Sequence, residues 1–303
     1  MIDAFERLSN NLTMKAKMVV AALLVALGTS LPELFVAIAS GLANQGEISL
    51  GNILGANVAN TSLIIGGASV LAGSLSVVGD FVHWEFLMAF ITSFAPFLLM
   101  LDGNLSRLDG AILLVIYLMY LRDILGDWRH RSLAHHQVAR HGLLSQLRRL
   151  HKKYVDGVIL KLIFGLILMM LGSNLLIKTV TILSMEMRVM PVWIGVFVLA
   201  IGTTLPELVL SMEVVSRKES LLVLGNLLGS IIINSTLIVG ILALINHVKL
   251  TNMAPYLTSS VGFVVIFTFF WILAIKEKKI SRWGGAVLVG VYFMFFGLSM
   301  LLA

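Results

Sequence analysis

Two glutamates, Glu33 and Glu207, lie inside apolar stretches, each directly after a proline and in the same setting. Residues 28–34 read GTSLPEL and, 174 positions later, residues 202–208 read GTTLPEL. An ionised carboxylate at the centre of a membrane span costs ~2.5–3.5 kcal/mol on insertion scales, so a duplicated pair calls for compensating charge. Pro32 and Pro206 have no amide hydrogen, which leaves the carbonyls of Gly28 and Gly202 without their helical donors. Each helix is therefore expected to open there and turn oxygens of Thr29, Ser30, Thr203 and Thr204 toward the carboxylates.

The same shift superposes residues 50–66, LGNILGANVANTSLIIG, on residues 224–240, LGNLLGSIIINSTLIVG. Gly51, Gly55, Gly225 and Gly229 suit close helix approach. Asn60 and Asn234 follow one turn later, placed to face the glutamates, whereas Asn52 and Asn226 are expected to cap or cross-link helices. Ser230 meets Ala56 and Asn57 meets Ile231, so the two halves are not equivalent at the centre. Carboxylates, amide oxygens, hydroxyls and carbonyls, with neither His nor Cys among them, make an all-oxygen site suited to hard cations such as Ca²⁺ and Na⁺. One divalent ion neutralises both glutamates and so would two or more monovalent ones, which is the basis for exchange of one for the other.

These residues must be positioned by membrane spans. Stretches long enough to cross ~30 Å of hydrocarbon fall at residues 17–42, 48–72, 84–101, 107–125, 157–184, 190–213, 221–245, 254–275 and 282–302. Nine spans are thus expected, in an all-α transmembrane fold. The duplication extends to Ser106, Arg107, Gly110, Ala111 and Tyr117, which meet Ser281, Arg282, Gly285, Ala286 and Tyr292. An odd number of spans separates the copies, so they are expected to cross the membrane in opposite directions, as the halves of secondary transporters do. The division expected is a first half over residues 1–125, a basic cytoplasmic loop over 126–156 and an inverted second half over 157–303. Within the loop, residues 143–154 space Leu143, Leu147, Leu150 and Tyr154 helically between basic residues, as in an amphipathic helix on the inner leaflet.

Composition agrees. Of 303 residues 58% are hydrophobic and 13% charged, with a mean hydropathy of +0.98, which excludes a soluble enzyme. The chain has no Cys, which removes disulfides and thiolate chemistry. A net charge of +6 reports topology rather than nucleic-acid binding. With the central loop placed in the cytoplasm, eighteen Lys and Arg fall inside and four outside, as the positive-inside rule requires. The partners expected are the bilayer and the transported ions; no cofactor is expected, and the oligomeric state is open.

GTSLPE with GNILGANVAN, and GTTLPE with GNLLGSIIIN, resemble the two repeat signatures of the cation/Ca²⁺ exchanger superfamily, in particular its Na⁺/Ca²⁺ antiporters. That resemblance implies an inverted-repeat exchanger; a prokaryotic inner, plasma membrane is expected from the short central loop, which lacks room for a folded regulatory domain. The resemblance also implies that Glu33, Glu207, Thr29 and Thr203 bind Ca²⁺. Ala26, Ala200, Ser30, Thr204 and Ser230 would assist Na⁺, and Asn60 and Asn234 would line the middle. The superfamily carries Ser where Ala56 stands, so one Na⁺ position is in question. It has ten spans, whereas Met1 aligns with Leu175, so most of the first helix is expected to be missing. Extruding Ca²⁺ against a ~10⁴-fold gradient at ~100 mV needs roughly three Na⁺ on general figures. The alternatives are H⁺- or K⁺-coupled Ca²⁺ exchange, or a truncated cation-binding membrane protein that does not transport.

Overall fold

The computed structural model describes residues 14–77, 80–132, 155–216 and 219–301; residues 143–154 lie outside them. Nearly all of this is helix. Helix α1 (Met14–Thr29) stops at Ser30 and α2 (Leu31–Leu42) begins with Pro32 in its first turn. Next come α3 (Gly46–Ala59), a π-helical stretch (Asn60–Ile64) and α4 (Ile65–Ala72), which run on as one span. Strand β1 (Ser74–Ser76), α5 (Asp80–Leu99), β2 (Asn104–Leu105) and α6 (Arg107–Ser132) complete the first half.

The second half opens with α7 (Val155–Met187). After it come α8 (Pro191–Ile194), a π-helical stretch (Gly195–Leu199), α9 (Ala200–Thr203) and α10 (Leu205–Ser216). Then follow α11 (Ser220–Ile233), a third π-helical stretch (Asn234–Ile238), α12 (Val239–Ile245), β3 (Val248–Lys249), α13 (Ala254–Glu277), β4 (Lys279–Ser281) and α14 (Arg282–Met300).

Among the described residues six helices are long and apolar enough to cross a bilayer, or seven when α1 and α2, bent by 41°, form one span. The expected nine are therefore not all met. In the window 84–101 the described apolar stretch is Trp84–Leu99 of α5, and α6 carries Arg107, Asp109, Arg122 and Asp123. The short strands are a second departure from an all-α expectation.

The duplicated helices form the centre. In the spans Gly46–Ala72 and Ser220–Ile245, 78% of the residues in the most apolar 18-residue stretch are buried, against 22% in that of Ile167–Met187 of α7, whose apolar surface is left for lipid. Contacts between the halves are exchanged in pairs. Gly66 of α4 lies on Gly285 of α14, where a Cβ on either would stand 2.6 Å from the other's carbonyl oxygen. Gly240 of α12 and Gly110 of α6 repeat that crossing, at 3.1 and 2.8 Å. Strand β1 pairs with β4 through Leu75 and Ile280, and β2 pairs with β3 through Leu105 and Val248.

Helix α3 comes closest to its neighbour. A Cβ on Gly51 would stand 2.2 Å from the Val192 carbonyl oxygen, and one on Gly55 2.1 Å from that of Val196. Backbone thus lies directly on backbone, as small residues permit inside a membrane. Helix α7 leans on this body from the side, through Ile177 and Val180 against Val36, Ala39, Ile194 and Leu199.

Candidate cation site

Ser30 and Thr204 sit at the two helix breaks with nearly identical backbones, φ −81° and ψ 4° against φ −86° and ψ 2°. This is the sparsely populated bridge region, and each is the residue two before its proline. The break is sharper in the first half, where α1 and α2 bend by 41°, than in the second, where Pro191–Val215 counts as one span. Glu33 and Glu207 follow in the first turns of α2 and α10, where the positive end of the helix dipole favours an anion.

Both carboxylates are fully buried. Glu33 is directed at Thr203 and lies within charge-charge range of Glu207, and Glu207 is directed at Thr29 and Ser230. No hydrogen bond closes on any of the four carboxylate oxygens. Among the described residues no group of three or more His, Cys, Asp or Glu gathers, so any further ligands here are neutral oxygens.

Those oxygens are held by a reciprocal pair of bonds between the halves. The Thr203 hydroxyl donates to Asn52 Oδ1 at 3.1 Å and the Thr29 hydroxyl to Asn226 Oδ1 at 3.4 Å. Thr29 Oγ1 also lies 3.5 Å from Ser230 Oγ. The amide nitrogens of Asn52 and Asn226 have no partner. The cross-linking expected of these two asparagines is therefore present, and it runs to the threonines beside the glutamates, which their sequence setting did not disclose. The duplication itself was the available signal, since both asparagines recur at the common shift.

The other candidate residues separate into those at the centre and those occupied elsewhere. Ala26 and Ala200 are fully buried; their carbonyls accept from the amides of Ser30 and Thr204 at 3.0 and 3.1 Å and lie near the Thr29 and Thr203 hydroxyls. The Thr204 hydroxyl donates back to the Ala200 carbonyl at 2.8 Å, so it serves its own helix, whereas Ser30 Oγ has no partner. Asn60 and Asn234 open the two matching π-helical stretches, a wide turn that recurs at functional sites. Asn60 is buried with no partner for either amide atom, and Asn234 Oδ1 has none either. Neither is hydrogen-bonded to a glutamate. Asn57, outside the candidate set, donates to Ser235 Oγ at 2.8 Å and lies 3.5 Å from Asn234.

Thr203→Val keeps the side-chain volume and removes the donor to Asn52, leaving a buried amide wholly unpaired. A loss of about 1–3 kcal/mol of stability is expected, and less for Thr29→Val because Thr29 is only half-buried. Thermal unfolding in detergent measures both; unchanged midpoints would show that the crossed bonds do not hold the halves together.

The sodium/calcium exchanger protein family matches residues 1–122 and 157–301 of the chain. Inner membrane protein YrbG of Escherichia coli (strain K12) is 29% identical over 278 residues, covering 90% of this chain and 83% of that protein. Sodium/calcium exchanger MaX1 of Methanosarcina acetivorans is 24% identical over 308 residues, covering 92% and 88%. The fold is similar to that of the sodium-calcium exchanger NCX_Mj soaked with Na⁺ and Sr²⁺, at a TM-score of 0.68, 24% identity, and 97% and 90% coverage.

Proposed function

The chain belongs to the sodium/calcium exchanger family, a family of multi-pass membrane ion exchangers, and on that premise we propose that it exchanges Na⁺ for Ca²⁺ at Glu33 and Glu207 by alternating access. One observation carries this reading: two buried carboxylates approach each other, each at the start of a half-helix, with no hydrogen bond on any oxygen. Buried charge without a partner costs several kcal/mol per ion. A structural role would have supplied partners, whereas a transport site must keep its oxygens free for a cargo that arrives and leaves.

In this reading Thr29, Thr203, Ser230 and the carbonyls of Ala26 and Ala200 complete the shell around the carboxylates, with Ser30 and Thr204 at its edge and Asn60 and Asn234 between the two ends. Ca²⁺ takes six to eight oxygens in loose geometry, which carboxylates, hydroxyls and carbonyls from both halves can supply together. Competition follows from charge: one Ca²⁺ or a set of Na⁺ satisfies the glutamates, never both at once. The organisation is two inverted halves, residues 1–125 and 157–303, joined by a basic cytoplasmic loop over 126–156. The nine spans are completed by α5 and α6, and the setting is a prokaryotic inner membrane. The interruption of the family match between residues 122 and 157 agrees with that division.

The test is ⁴⁵Ca²⁺ uptake into proteoliposomes preloaded with Na⁺, K⁺ or choline at one pH. Uptake that depends on internal Na⁺ alone is expected. Uptake that follows internal K⁺, or a pH gradient when one is imposed, would replace Na⁺ as the coupling ion. No uptake from any gradient in folded protein would reject exchange.

A further inference from the structure

We infer that the corner over residues 276–283, together with the ribbon β1–β4 beside it, binds the phosphate headgroup of an anionic phospholipid. The inference goes beyond cation exchange and does not depend on which ions the glutamates carry.

The duplication supplies the comparison. Residues 276–283 are the counterpart, 175 positions on, of residues 101–108, and the two corners are built alike. The Gly103 carbonyl accepts from the Leu250 amide at 3.0 Å and the Lys278 carbonyl from the Val77 amide at 2.8 Å. Each is followed by a strand that pairs with the other half. Both positions have a left-handed backbone, at φ 82° and φ 50°. Glycine adopts it without strain, yet the second corner has Lys278 there, in a conformation that L side chains disfavour. Lys276 and Lys279 likewise stand where Leu101 and Asn104 do, while Arg282 and Arg107 are common to both. The corner 276–283 thus has four basic residues and one acidic, against one of each in 101–108. A structural need, whether the turn itself or the dipole at the C-terminus of a helix, applies equally to the first corner, which meets it with Leu, Gly and Asn. The positive-inside bias favours basic residues at this end but does not call for one at a left-handed position.

The groups around Lys278 suit a headgroup at a bilayer surface. Lys276, Lys278, Lys279 and Arg282 are all exposed, and among the described residues none of them is in an ion pair. On the ribbon Leu75 and Ile280 turn inward, while the exposed Ser76 lies opposite Lys279 and the exposed Ser74 opposite Ser281. Hydroxyls of the first half therefore stand beside cations of the second, and a phosphate seated there touches both. Anionic leaflets attract such basic clusters. Trp283 follows at 84% exposure, an amphipathic ring of the kind that membrane interfaces favour. Trp283, Val287, Met294 and Leu298 fall on one face of α14 and all are exposed, so an apolar stripe runs from the basic corner along the helix. A soluble phosphate would use the cations and hydroxyls alone. The stripe fits acyl chains, which makes a lipid the ligand.

The experiment reconstitutes the full chain in phosphatidylcholine vesicles holding a small share of phosphatidylglycerol, with bromine on the acyl chains of one lipid or the other. Quenching of Trp283 is read as wild type minus Trp283→Phe. Phosphatidylglycerol is expected to be enriched over phosphatidylcholine at this residue by at least about fivefold, the worth of one basic side chain near an anionic surface. Lys278→Gly is expected to reduce that enrichment, and Lys276→Gln, Lys278→Gly and Lys279→Gln together to remove it. The thermal midpoint of Lys278→Gly should be no lower than that of wild type, because glycine relieves the left-handed backbone; a lower one would make Lys278 structural and overturn its assignment. Lys249→Gln, on the mirror ribbon, should leave the enrichment unchanged. Equal quenching by the two lipids in wild type, or enrichment that survives the triple replacement, overturns the inference. Enrichment abolished by inorganic phosphate at constant ionic strength would assign the corner to a soluble anion and overturn it as well. Quenching is read without transport, so Na⁺/Ca²⁺ exchange stands or falls separately.

Discussion

Replacing Glu33 or Glu207 with Gln is expected to abolish Na⁺-dependent ⁴⁵Ca²⁺ uptake, by at least about 100-fold for either one, without lowering the thermal midpoint of the cation-free protein. Gln keeps the shape of Glu and removes its charge. At an effective dielectric of ~20, a unit charge ~4 Å away is worth about 4 kcal/mol, and twice that toward a divalent ion. A 100-fold loss corresponds to only about 2.7 kcal/mol, so it is a conservative bound. The stability side has the opposite sign. Neither carboxylate closes a hydrogen bond of ordinary length and both are buried, so neutralising one removes a desolvation cost and gives up only the longer contacts to its own backbone and to Thr203, or to Thr29 and Ser230. Saturating Ca²⁺ at ~100 times Kd should stabilise the wild-type protein by about 2.7 kcal/mol, and this increment should vanish in both variants. Melting curves in detergent with and without Ca²⁺, paired with uptake, measure the two effects separately. A lower midpoint with uptake retained would mean that the glutamates brace helices and that the cargo binds elsewhere.

Gly55→Val should prevent folding, and Gly55→Ala should cost about 3 kcal/mol or more, at the upper end of the usual range for overpacking. The Cβ would stand 2.1 Å from the Val196 carbonyl oxygen, 2.7 Å from the Val196 carbonyl carbon and 2.7 Å from the Ala200 methyl. Two of these three atoms are backbone, so no rotamer change relieves the clash and α3 must move away from the π-helical stretch Gly195–Leu199. That displacement carries Asn52 away from Thr203 and opens the site from the other side. Gly67 is the control on the next helix of the same span. Nothing lies within 4 Å of a Cβ there, so Gly67→Ala should be tolerated and add up to ~1 kcal/mol through helix propensity. Detergent-solubilised yield, thermal midpoint and uptake of the three variants check this. A Gly55→Ala protein that melts with wild type would show that the close approach of the two helices is not required.

The amino-acid sequence determined the components: the twofold recurrence of a buried Glu after Pro, the all-oxygen ligand chemistry, the helical membrane character and the glycines at which helices meet. All of these follow from local composition and from repetition, because a proline breaks its own helix and a carboxylate in apolar surroundings needs a partner wherever it is placed. The chain order also contained the asymmetry of Ala56 against Ser230. What it could not contain was the pairing. That Thr203 bonds Asn52, that Thr29 bonds Asn226, and that Gly66 lies on Gly285 while Gly110 lies on Gly240, are relations between residues 130 to 219 positions apart. Spacing within one helix does not encode them.

Tertiary structure also decided what each polar group does with its hydrogen bonds. Ser30 and Thr204 occupy equivalent positions, yet Thr204 is tied to the Ala200 carbonyl while Ser30 Oγ has no partner. Asn57, apparent in sequence only as an unmatched amide, is joined to Ser235 across the molecule. Span counting was limited by the same dependence on packing. The windows 84–101 and 107–125 read as spans by apolar length, whereas α6 carries four charges in the second window, and it is held to the second half through the Gly110–Gly240 crossing. The physical reason is one of range. Backbone breaks, burial preference and side-chain chemistry are set by a residue and its near neighbours, whereas which polar groups stay without partners is fixed only when both halves have closed on each other.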